Sequence, residues 1–171
     1  FSLSYRQAIP LEQSGWAEYS HISAGIRQEL EAGLLSTLSY RVKAGYFPSA
    51  AAMHYSDLEH FKASPLLVDM NGFNDAFMFL DFYEASSQEW YTTLDAELRS
   101  SYLLLKLLPW VSERLWTESL MVKYLHTPHT RHHVEVGYSL NEILFMIDVG
   151  IFAGFESGQY EGTGMRVNLR F

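Results

Sequence analysis

A chain of 171 residues is long enough for one domain, and an apolar content of 48% at a mean hydropathy of −0.07 means that apolar residues are dispersed among polar ones. No stretch is long and apolar enough for a transmembrane helix. The net charge of −8 argues against nucleic acid as a partner, and the absence of Cys removes disulfide scaffolds and thiolate metal sites.

The dispersal is periodic. Phe1, Leu3, Tyr5 and Ile9 alternate with Ser2, Ser4 and Arg6 until Pro10. A period of two belongs to a strand with one apolar and one polar face. Tyr19–Leu30 repeats it, with Ile22, Ala24 and Ile26 on one face and His21, Ser23, Gly25 and Arg27 on the other. Glu31–Gly33 is a turn. Leu34–Tyr46 follows, with Leu38, Tyr40, Val42 and Ala44 outward and Ser39, Arg41 and Lys43 inward. Residues 47–74, with Pro48, Pro65 and Gly72, form a longer connection or folded insert. The pattern predicts a further strand at Phe73–Glu84, whose inward face (Phe77, Phe79, Asp81, Tyr83) is too aromatic for a wide, wet channel. Glu89–Ser100 is the next, with Asp95, Glu97 and Arg99 inward.

Residues 102–117 form a second long connection. Within it, Leu103–Trp116 suits a segment at a membrane interface or a turn packed into a barrel mouth. Glu118–Leu125 returns to strand, and Thr127–Thr130 turns into a tail of three strand runs, Arg131–Leu140, Phe145–Phe155 and Thr163–Phe171.

The tail carries the length argument. Phe145 and Phe155 fall on one face, about 33 Å apart at ~3.3 Å per residue. A tilt of ~40° reduces that to roughly 25 Å, the height of the lipid-facing band between two aromatic girdles. The aromatic share of 15% suits such girdles. Ile147, Val149 and Ile151 lie between the two phenylalanines, and Met165, Val167, Leu169 and Phe171 extend the lipid-facing set. The opposite faces collect Arg27, Arg41, Asp95, Glu97, Arg99, Lys123, Glu135, Asp148, Arg166 and Arg170, a mixed-sign network suited to filling a lumen.

The fold expected is an all-β antiparallel transmembrane barrel of the outer membrane, with residues 1–171 forming one barrel unit of about nine strands. Closed single-chain bacterial barrels have even strand numbers, so nine predicts a portion of a larger barrel. With the C-terminus periplasmic, counting back puts 47–74 and 102–117 on the periplasmic side, together with Leu11–Gly15 and Asn141–Ile143. Glu31–Gly33, Ala85–Gln88, Thr127–Thr130 and Glu156–Gly162 then face outward.

Site chemistry is sparse. His126, His129, His132 and His133 surround one turn, but His132 and His133 alternate, so a solvated turn is expected rather than a metal site. His133 and Glu135 share an inward face without an identifiable nucleophile–base pair, and we assign no catalytic residue. The tail glycines Gly154, Gly158, Gly162 and Gly164 lack the strand–loop–helix order of a phosphate loop and read as turn and lumen positions. No cofactor is expected.

Gly45-Tyr-Phe-Pro48, Leu58-Glu-His60, Asn74-Asp-Ala-Phe-Met78 and Phe82-Tyr-Glu84 occur in this order, followed by Leu104–Trp116 and Val134-Glu-Val-Gly-Tyr-Ser-Leu-Asn-Glu-Ile143. This succession resembles a Bacteroidota outer-membrane family with an N-terminal carboxypeptidase-regulatory-like domain and a C-terminal β-barrel. The likeness implies the C-terminal part of a longer protein, bacterial outer-membrane localisation and no peptidase site. Where the family has a His-x-Gly-Asn region this chain reads His60-Phe-Lys-Ala-Ser64, and Lys106-Leu-Leu-Pro109 replaces Asn-Lys-Ile-Pro. The function expected is a structural or accessory role in an envelope assembly, export or surface complex. A pore or part of an uptake system is the alternative, and a hydrolase with rim residues comes third. Partners expected are lipopolysaccharide or phospholipid and other outer-membrane or periplasmic proteins.

Overall fold

The computed structural model describes residues 1–9, 17–69, 73, 76–81, 83, 85–104, 108, 116–130 and 132–169. Period-two alternation becomes β1 (Ser2–Ala8), β2 (Glu18–Glu31), β3 (Ser36–Ala52), a two-residue β4 (Val68–Asp69), β5 (Trp90–Ser100), β6 (Thr117–His126), β7 (His133–Ile143), β8 (Ile147–Glu156) and β9 (Gln159–Leu169). Among the described residues there is no α-helix, only a 3-10 turn at Tyr55–Asp57. The eight long strands form one antiparallel sheet in chain order. β4 lies parallel to β9 on its outer edge, with Val68 opposite Val167. β1 and β9 are not paired with each other, so the sheet is open.

The predicted strand at Phe73–Glu84 is corrected. Its centre, Ala76–Leu80, is apolar on both sides, with Phe77 and Phe79 against Met78 and Leu80, and such a run gives no polar face to water. Its described residues belong instead to an insert between β3 and β5 that packs on the inner face of the sheet. Phe77, Leu80 and Ala85 are buried against Leu125 of β6, and Phe73 is buried against Met121 and Phe152. The sheet makes room with glycine: a Cβ on Gly154 would stand 2.7 Å from the Phe79 ring, and one on Gly164 would overlap Met78. These tail glycines are seats for the insert, while Gly158, at φ +82°, turns the β8–β9 hairpin.

Removing one predicted strand reverses the direction of everything before it. Ser36 pairs with Ser100, Ser100 with Glu118, Thr117 with Asn141 and Ile147 with Leu169. The 32–35 turn, the β5–β6 link, the 144–146 turn and the end of β9 therefore share one end of the sheet. The β3–β5 insert, the 127–132 turn and the β8–β9 hairpin lie at the other. Two expectations thus change together: 47–74 and 102–117 do not share a side, and Glu31–Gly33 is not beside Thr127–Thr130. β3 also runs past Pro48 to Ala52, so the connection starts later than expected; Pro48 falls at a register shift, where the missing N–H is tolerated.

Phe145 is corrected as well. It is 77% exposed in the turn before β8, where Glu142, Leu144 and Phe145 all have positive φ. The outward run of β8 is Ile147–Phe155, about 26 Å long at ~3.3 Å per residue. Tilted by ~40° it rises about 20 Å, less than the sequence spacing suggested. Eight antiparallel strands also remove the odd-number argument for a missing partner. The expectations for most of Leu103–Trp116, and for Arg170 and Phe171, lie outside the described residues.

Candidate functional site

The two faces of the sheet differ in chemistry. On the outer face of β8 and β9, Ile147, Val149, Ile151, Phe155, Met165, Val167 and Leu169 alternate with buried partners, and Ile151 remains 55% exposed. Ile22, Ile26, Leu120, Val122 and Val136 continue this apolar set across β2, β6 and β7 and are exposed too. Nothing in the described chain covers them.

The inner face carries the charges, and the register aligns them. Arg27 stands opposite Arg41, Arg41 opposite Asp95, Asp95 opposite Lys123, and Lys123 opposite Glu135. Five of the predicted network residues thus form one row across five strands. Glu97 and Arg99 pair on their own strand at 3.1 Å, away from that row. Asp148 also stands apart: it is buried, takes the Glu142 amide at 2.9 Å and the Asn168 amide at 3.1 Å, and so fastens the β7–β8 turn.

The insert is gripped through its main chain. Glu135 accepts the amides of Met78 and Phe79 at 2.8 Å, Lys123 donates to the Ala76 carbonyl, and Arg166 donates to the carbonyls of Ser64 and Ala76. All three side chains are buried, and a buried charge persists only with such partners. His133 stands behind Glu135, with Nε2 3.1 Å from its carboxylate and Nδ1 3.5 Å from Glu161. The ring edge of His133 meets Phe77, and Lys123 Nζ lies 5.5 Å from the centre of the same phenyl ring. Glu135 is therefore a structural acceptor, fully occupied by donors, rather than a base open to substrate.

At the mouth of the insert His60 Nδ1 lies 2.8 Å from Ser86 Oγ, and Nε2 lies 2.9 Å from the Tyr55 carbonyl. This is the spacing of a nucleophile and its base. Yet Ser86 Oγ is also 2.7 Å from the Tyr83 carbonyl, and the amides of Ser86 and Ser87 are bonded to the carbonyls of Tyr83 and Glu59. Ser86 Oγ, His60 Nε2 and the amides of Ser86 and Ser87 thus all meet backbone carbonyls, and the pair closes a turn.

Of the four clustered histidines, His126 and His132 approach with ring centres 4.1 Å apart on the outer side. Tyr124 and Trp90 flank them, and His133 points inward. Among the described residues no group of three or more metal-binding side chains forms.

Sequence reasoning missed Glu59, Glu118 and Glu161. Glu59 pairs with Lys43 at 2.5 Å, and Glu118 takes the Tyr138 hydroxyl at 2.6 Å and the Leu104 amide at 2.7 Å. Glu118 opens a strand pattern on its polar side and Glu59 falls within Leu58-Glu-His60, whereas nothing in the sequence marked Glu161.

No curated protein and no solved structure matches the chain. The C-terminal domain of a family of unknown function (DUF5686) matches residues 1–140, from β1 through the insert into β7. Since this covers most of its length, the chain belongs to that family and represents its C-terminal domain.

Proposed function

We propose that this chain is the membrane-embedded part of a Bacteroidota outer-membrane protein, and that it acts as a structural or accessory component of an envelope assembly, export or surface complex. The observation that carries the reading is the contrast of the two faces. An uncovered apolar face spans five strands, and behind it Lys123, Glu135 and Arg166 are buried under the insert. Lipid is the solvent that makes such an arrangement stable, because it favours apolar side chains outside and keeps polar ones inside. The insert occupies the inner face of β6–β9, which favours an accessory role over an open pore. With the C-terminus periplasmic, the insert enters from the extracellular end.

The test uses the protein extracted from membranes. Unheated samples should migrate faster than heated ones in detergent gels, the protein should stay with the membrane pellet after carbonate washing, and other envelope proteins should co-purify in fixed ratio. Recovery as a monodisperse species without detergent would overturn the membrane reading. A large, steady conductance in planar bilayers would replace the accessory role by a pore.

A further inference from the structure

The outer face changes character toward the insert end of the sheet, and the register shows where. Tyr5, Ile22, Tyr46 and Trp90 stand opposite one another across β1, β2, β3 and β5. Tyr124, Val134, Phe155 and Tyr160 do the same across β6, β7, β8 and β9. The two rows are offset, because Tyr124 faces Leu94 rather than Trp90. His126 fills the step, its ring 4.7 Å from that of Trp90 and 6.2 Å from that of Tyr124. An aromatic belt thus crosses the outer face from β1 to β9. On its side away from the insert the facing positions are apolar, with Ile26, Val42 and Leu94 in one row and Val122, Val136 and Ala153 in another. On its other side Gln7, Ser20 and Ser49 stand opposite one another. Tyr5, Tyr46 and Tyr160 are more than half exposed, and the hydroxyls of Tyr5, Tyr124 and Tyr160 meet Gln7, His132 and Thr163.

We infer that this belt is the chain's contact with the headgroup layer of a bilayer and marks the level at which the strands leave it. The inference rests on the membrane reading proposed above. Tyr and Trp rings are apolar bodies with a polar tip, so they gather where hydrocarbon meets water. A packed core would bury these rings, and a pocket would collect them at one point. Here they follow the margin of the apolar face on strand after strand, with apolar positions on one side and polar ones on the other. The His126 and His132 rings, 4.1 Å apart, bring hydrogen-bonding nitrogens to the same level. The 127–130 turn, the β8–β9 hairpin and the end of β3 at Ala52 then lie on the water side.

Nitroxide labels on single cysteines test it, in a chain that has no Cys of its own. Ile151→Cys samples the apolar face, Tyr46→Cys and Tyr160→Cys the belt, and Gln7→Cys the polar side. All four side chains are exposed, so the labels leave the packing intact. The folded chains are placed in vesicles of phosphatidylcholine and phosphatidylglycerol, and collisions of each label with oxygen and with a water-soluble nickel chelate are measured. The oxygen-to-nickel ratio should be highest at Ile151, intermediate at both belt positions and lowest at Gln7. A high ratio at Ile151 with belt labels as deep as Ile151, or as open to nickel as Gln7, would overturn the belt and leave the membrane reading standing. Full access of nickel to all four labels would overturn both.

Discussion

The inner face is one continuous polar surface with two fates. Across β6, β7 and β9 its charges are buried and hold the insert; across β2 and β3, Arg27 and Arg41 face one another and stay partly exposed, and Lys43 reaches only the insert's edge at Glu59. Both halves arise from the same alternation, with inward residues every second position. What separates them is where the insert lies. A charge under the insert becomes a fastening, whereas one beside it becomes a surface that a solute can reach.

The comparison breaks first at Glu135. Glu135→Ala leaves the amides of Met78 and Phe79 and the His133 ring without their shared acceptor and takes the counter-charge away from Lys123, and should cost about 3–5 kcal/mol. A lower midpoint in urea, read by the heat-modifiable band, would show it; a midpoint like that of the parent would mean that the insert is not held this way. Ile151→Arg on the outer face comes next. In a bilayer the loss should be about 2–4 kcal/mol, against almost nothing if that face meets water. Refolding into lipid vesicles measures the difference directly. Gly154→Val puts methyl groups where the Phe79 ring lies and should cost about 1–3 kcal/mol. Its signature is faster proteolytic cleavage within 60–85 while the strands stay intact. Arg41→Gln should change stability by no more than about 0.5 kcal/mol, because its side chain is partly exposed. Equal losses for Glu135→Ala and Arg41→Gln would erase the distinction between the two halves.

Eight of the nine predicted strands were legible because each pairs an apolar with a polar face, as in β8, where Asp148 and Ile151 lie on opposite sides. Phe73–Glu84 was not, since its centre, Ala76–Leu80, is apolar on both sides and fits a strand and a packed irregular segment equally. That single misreading propagated through strand parity to the ends of the sheet. Phe145 misled for a different reason: its turn depends on positive φ at ordinary residues, which no glycine announced. The charge row could be listed from the sequence but not divided. Lys123, Glu135 and Arg166 find their partners in main-chain atoms of the insert, and main-chain atoms leave no mark in a residue pattern.

That last feature reaches beyond stability. Carbonyls at Ser64 and Ala76 and amides at Met78 and Phe79 are identical in every amino acid except for the amide that proline lacks. Substitutions along the insert can therefore accumulate while its attachment persists, provided that bulk at Met78 and Phe79 still fits the glycine hollows and proline stays away from both. The wall holds a shape and leaves the wording of the segment open to change.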